Sequence, residues 1–125
     1  MRNSLIQRNS ELLCTQLYSL FNNSKEEWYV KQILEHTVKS DYYVRQAFQD
    51  QRNSDIRRSL LYAQSYWIKI NSMLLLAKKM EICPTADIIS VLEQLEFLMK
   101  LSIGLSNHIE AKQLAKKFKA MAAVQ

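Results

Sequence analysis

The 125-residue chain holds one glycine and one proline, too few for the turns that sheets and sandwiches need, so an all-α fold is expected. Its length sets one domain with a real buried core, and 48% hydrophobic with 23% charged residues is the composition of a folded protein. The net charge of +5 fits a nucleic-acid or acidic-protein partner, and no apolar run approaches the ~20 residues of a membrane span.

The first helix is expected over about 4–21, with Leu5, Leu12, Leu13, Leu17, Leu20 and Phe21 as its apolar positions. Asn22-Asn23-Ser24 breaks the pattern. Ser24 with Glu27 has the S-x-x-E spacing of a capping box, in which each side chain satisfies an orphan amide of the first turn. A second helix follows over about 25–49. Its stripe is Tyr29 or Val30, Ile33, Thr37, Tyr42 or Val44, and Phe48. Asp50-Gln51-Arg52-Asn53 lacks apolar residues and reads as a turn, with Ser54 as N-cap of the third helix.

That third helix, over about 54–82, carries the clearest pattern in the chain. Ile56, Leu60, Ala63, Trp67, Ile70, Leu74 and Ala77 alternate spacings of four and three, the heptad seam of a helix packed along its whole length. Trp28, Tyr29, Tyr42, Tyr43, Tyr62, Tyr66 and Trp67 could stack on bases, although aromatics at helical spacing more often form core or interface; Tyr62 and Tyr66 lie off the seam, free to face a neighbouring subunit. Trp28, beside the capping box, is expected to pack. Pro84 cannot continue the helix and displaces the residue before it.

The fourth helix is expected over about 85–122 on Ile88, Leu92, Leu95, Leu98 or Met99, and Leu105. Gly104 falls inside it and marks either a close helix contact or a break; the contact is favoured because Ile109 stays in phase. Residues 110–125 form a basic amphipathic tail, with Lys112, Lys116 and Lys119 repeating at the spacing of Leu114, Phe118 and Met121. Short loops make neighbouring helices antiparallel, so the whole reads as an up-down four-helix bundle in one domain.

The charge is unevenly spread. Residues 51–83 carry +4 and residues 109–125 carry +3, whereas 23–50 carry −1 and 84–108 carry −2. The candidate nucleic-acid contacts are therefore Arg52, Arg57, Arg58, Lys69, Lys78 and Lys79 on the third helix and Lys112, Lys116, Lys117 and Lys119 on the tail. The antiparallel order should bring Lys112–Lys119 near Arg52–Arg58 as one basic cluster. Cations spaced by helical turns follow phosphates with strongly salt-dependent affinity.

Reaction chemistry is not visible. His36 and His108 stand on different helices, without an R-x(4–6)-H or Glu-x-x-His pattern, and one glycine cannot form a phosphate loop. No catalytic residue, metal or cofactor is expected. Cys14 and Cys83 read as reduced, buried, small hydrophobes in a cytoplasmic protein. The N-terminal residues lack the apolar run of a signal peptide.

Several segments in order carry a family resemblance: Asn22-Asn23-Ser24-Lys25-Glu26-Glu27, Arg58-Ser59-Leu60-Leu61-Tyr62-Ala63, Leu74-Leu75-Leu76-Ala77-Lys78-Lys79, Leu92-Glu93-Gln94-Leu95-Glu96, and Ile103-Gly104 leading to the basic tail. Residues 20–109 resemble the small four-helix bundle proteins encoded in intervening sequences of bacterial large-subunit rRNA genes. They also resemble the accessory variability proteins of diversity-generating retroelements. Where those accessory proteins often carry a tryptophan after the glycine, this chain has Leu105-Ser106-Asn107. The resemblance implies a homopentameric barrel that binds a reverse transcriptase and RNA or DNA through basic residues, and supports mutagenic cDNA synthesis without being an enzyme. The other readings are a helical protein-interaction adaptor that binds no nucleic acid, and a small helical nuclease.

Overall fold

The computed structural model describes residues 2–49 and 52–124, and within them four helices follow one another: α1 (Arg2–Phe21), α2 (Glu27–Gln49), α3 (Asn53–Lys79) and α4 (Thr85–Val124). Each packs on two neighbours. The backbones of the pairs α1/α2, α2/α3, α3/α4 and α4/α1 lie side by side, and among the described residues those of the diagonal pairs do not. The chain is thus a square, antiparallel four-helix bundle, the fold that its heptad pattern and short loops require.

The seam of α3 forms one wall of the core. Leu60, Ala63, Trp67, Ile70, Leu74 and Ala77 are buried, and only the first member, Ile56, is partly open. Ile6, Leu13, Leu17 and Phe21 of α1, Tyr29, Ile33 and Val44 of α2, and Ile88, Val91, Leu95 and Leu98 of α4 complete it. Leu12, expected on the buried stripe of α1, is exposed. Ile6 takes the inward place, because Ile6, Leu13 and Leu17 keep the helical period while Leu12 lies a hundred degrees off it. Trp28 is also exposed, its ring perpendicular to that of Tyr29, which is the residue that enters the core.

Polar ties fix how the helices register. The Ser10 hydroxyl donates to Asp41 at 3.0 Å between α1 and α2. Gln94 Nε2 donates to the Asn9 side-chain oxygen at 2.8 Å between α4 and α1. Gln64 Nε2 donates to the Ser102 hydroxyl at 2.8 Å between α3 and α4. The Tyr29 hydroxyl donates to the Met73 carbonyl between α2 and α3. A helix slipped by one turn would leave these groups short of partners, and unmet buried polar groups are costly.

The helix ends differ from expectation in three places. The capping box does not form: the Ser24 hydroxyl accepts the Glu26 amide at 3.3 Å. The amide of Ser24 is used to close α1, donating to the Phe21 carbonyl at 3.1 Å, so Glu27 has no orphan donor to reach. Ser54 is not the N-cap of α3, since the helix already includes Asn53. Arg52, in extended conformation, holds the cap position without a side-chain bond, and its carbonyl accepts the amides of Asp55 and Ile56. Residues 50 and 51 of the expected turn lie outside the described residues.

The third helix also stops at Lys79 rather than near Ile82. Glu81 takes a positive φ of 54°, its amide donates to the Lys78 carbonyl, and the amide of Ile82 donates to the Ala77 carbonyl. This pair of bonds is a Schellman motif with glutamate where glycine is usual. It turns the chain three residues before Pro84 would have forced it to.

Gly104 marks neither a contact nor a break. α4 runs through it, and a Cβ placed there would meet nothing within 4 Å. The continuous α4 of 40 residues is about twice as long as α1. Ile109 is the last buried residue of α4, and from Leu114 to Ala123 every side chain is exposed. The turns after Gln113, about 16 Å of helix, therefore project beyond the bundle.

Candidate nucleic-acid interface

The antiparallel return of α4 places its basic tail at the end of the bundle where α3 begins. Arg57 Nη2 lies 3.4 Å from Glu110 Oε2, tying the two segments together. Lys112 and His108 of α4 line a cavity of about 190 Å³ with Asn53 and Ile56 of α3. Lys116, Lys117 and Lys119 are all exposed on the projecting part of α4.

The cations of this end do not share one face. Successive helical residues point about 100° apart. Arg57 turns to α4, whereas Arg58 is ion-paired with Asp55 and lines a depression of about 310 Å³ with Tyr42, Tyr43 and Tyr62, on the α2 side. Both ion pairs are part-exposed, and such pairs contribute roughly 0–1 kcal/mol, too little to withhold a guanidinium from a phosphate. Lys78 and Lys79 lie at the opposite end, in the last turn of α3. Lys69 stands midway, its Nζ 4.9 Å from the centre of the Tyr66 ring.

The ring beneath Lys69 belongs to an array that sequence reasoning had only in part. Tyr43 of α2 comes between Tyr62 and Tyr66 of α3, with ring centres 5.0 Å and 5.9 Å away; the Tyr43 and Tyr66 planes are 12° apart. Tyr42 meets Tyr43 edge-on at 5.1 Å. Lys39 of α2 approaches Tyr66 at 5.8 Å. The spacing of Tyr62 and Tyr66, one turn apart and off the seam, was the available signal. The meeting with Tyr43 depends on the α2/α3 register, which periodicity leaves open.

His36 completes this side, 5.9 Å from Tyr66. Its pKa is lowered, first by burial and then by the Lys69 and Lys39 ammonium groups, with Glu35 opposing. Its Nδ1 is buried without a hydrogen-bond partner. Among the described residues no three His, Cys, Asp or Glu side chains gather as a metal-binding group. Cys14 and Cys83 are free and half-buried rather than fully buried. Burial pushes the Cys14 thiol up to about 11, which keeps it protonated and inert at neutral pH.

Apolar surface also stays open. A groove of about 540 Å³ runs between α3 and α4, lined by Ile68, Leu75, Ile89, Leu92 and Met99 and edged by Glu93 and Glu96. On the projecting end of α4, Leu114, Phe118 and Met121 are exposed at helical spacing. No described helix is long and apolar enough to cross a membrane.

No protein-family model matches the chain, and no curated protein matches it in sequence. A solved structure matches it in fold. A protein of unknown function from the S23 ribosomal protein family of Bacteroides thetaiotaomicron superimposes with a TM-score of 0.79 at 20% identity, over 86% of this chain and 99% of that one. The likeness is one of fold: the helical bundle is shared with a member of that family.

Proposed function

We propose that this chain is a non-catalytic accessory protein of a diversity-generating retroelement. In this reading it assembles as a cytoplasmic homopentamer and binds a reverse transcriptase together with RNA or DNA. The observation that carries the nucleic-acid part is the convergence of two basic segments, the start of α3 and the projecting end of α4, at one end of the bundle. Guanidinium and ammonium groups there meet phosphates without any chemistry of bond breaking. Five copies would raise the net charge to about +25, and avidity would make a weak patch strong.

The oligomeric part draws support from the open α3/α4 groove and the exposed Leu114, Phe118 and Met121, surfaces that a second copy would cover. The polymerase partner rests on the resemblance of residues 20–109 to the retroelement accessory proteins.

Copurification with the reverse transcriptase encoded in the same element, together with anisotropy of labelled template RNA across salt, tests the reading. A stable complex and an affinity falling at least tenfold between 50 and 200 mM salt are expected, as for several phosphate contacts. A protein that captures the polymerase but shows no salt-dependent RNA binding would instead be an interaction adaptor. A protein that does neither contradicts the proposal.

A further inference from the structure

The tyrosine array on the α2/α3 side lies at the rim of the core, against which Tyr43 packs, and touches the basic end of the bundle only at Arg58. Tyr62 and Tyr42 are about half exposed, at 49% and 53%, although tyrosines could have been packed inward as Tyr29 is. Their arrangement has an order. Lys39 and Lys69 stand over Tyr66, Tyr43 stacks between Tyr66 and Tyr62, and Arg58 lies beside Tyr62. Cations thus bracket a row of phenol rings. Neither Lys39 nor Lys69 is in an ion pair among the described residues, so both charges remain available.

We propose that this row is a stacking platform for single-stranded nucleic acid. A nucleotide strand offers an aromatic face and an anion in every unit; the half-exposed Tyr42 and Tyr62 rings can take the one, and the ammonium and guanidinium groups at the two ends of the row can take the other. A duplex hides its base faces and could use only the cations. From Lys69 to Arg58 the platform spans about 16 Å along α3, the length of four or five nucleotides stacked at roughly 3.4 Å. Nothing in the row distinguishes ribose from deoxyribose, so RNA and DNA strands are bound alike. The depression of about 310 Å³ bounded by Tyr42, Gln46, Arg58 and Tyr62 receives the terminal base.

This inference rests on the nucleic-acid reading above but names a surface that shares only Arg58 with the basic end, and because the variants below leave Arg58 in place the two can fail separately. The test is anisotropy of labelled ten-nucleotide oligo-rU and oligo-dT, with an RNA duplex of equal length as control. Tyr62→Ala/Tyr66→Ala should weaken both single strands by at least about tenfold, since stacking is worth fivefold or more per ring, and leave the duplex unchanged. Tyr62→Phe/Tyr66→Phe should bind as wild type, because the ring face is kept. Lys39→Gln/Lys69→Gln should lower single-strand affinity and its salt dependence, and it removes no packed ring should the alanine variant fail to fold.

Alanine and glutamine variants that bind oligo-rU like wild type would overturn the platform while leaving the basic end intact. Equal loss of duplex and single strand would also overturn it, as would a changed subunit count, which would make the tyrosines an interface between copies. A wild-type protein that binds no nucleic acid at low salt would overturn both readings.

Discussion

Two residues hold backbone conformations that suit each other's side chain. Gly104 sits in an exposed, regular stretch of α4 with open space at its missing Cβ, and Glu81 occupies the left-handed turn position that glycine fills without strain. Gly104→Ala should raise stability by about 1 kcal/mol, and Glu81→Gly by a similar or smaller amount, both read as denaturation midpoints with unchanged slope. A loss of stability in Gly104→Ala would mean that a partner approaches α4 there. His36 gives a pH signature. Its folded pKa is depressed below 6.5 by burial and by Lys69 and Lys39 against the smaller pull of Glu35. The unfolded chain therefore takes up its proton first, so this contribution to stability is full above about pH 6.5 and declines as the pH falls below it. Chemical denaturation between pH 7.5 and 5 should show a shallower decline in His36→Gln; identical slopes would contradict the assignment.

At the scale of the helix, α3 was the most legible element and α4 the least. The seam of α3 works because one face meets α2, α4 and the core for its entire length, so periodicity and burial coincide from Leu60 to Ala77. In α4 the inner face is partly polar, with Ser102 and Ser106 buried, and past Ile109 the apolar residues Leu114, Phe118 and Met121 are exposed. The sequence period continues there unchanged, so periodicity marks an amphipathic basic tail over 110–125 but not where its contact with the bundle ends. The N-caps were misread for a different reason: a capping motif is local, whereas the use of the Ser24 amide by α1 is set by a loop only a few residues long. The projecting turns yield a prediction of their own. Leu114→Ser/Phe118→Ser/Met121→Ser leaves the bundle's core untouched, so thermal unfolding of the helical signal should be nearly unchanged while subunit association weakens. A large fall in melting temperature with an unchanged mass would show that the stripe packs on its own bundle.

For the whole molecule, the fold class, the helix order and the antiparallel packing could all be read from composition, loop length and one heptad seam. The site could be read only as a list of charges. The charge excess lies in 51–83 and 109–125, but the neighbours Arg57 and Arg58 turn to the α4 and the α2 side of α3, and Lys78 and Lys79 end far from the tail. The tyrosine row needed the register of two helices, which is fixed by bonds such as that of Tyr29 to Met73. The measurement closest to the central claim is light scattering after size exclusion, at low and high salt, with and without a structured RNA. A mass near five subunits and an RNA complex that dissociates at high salt are expected. A monomer indifferent to RNA at either salt would contradict that claim.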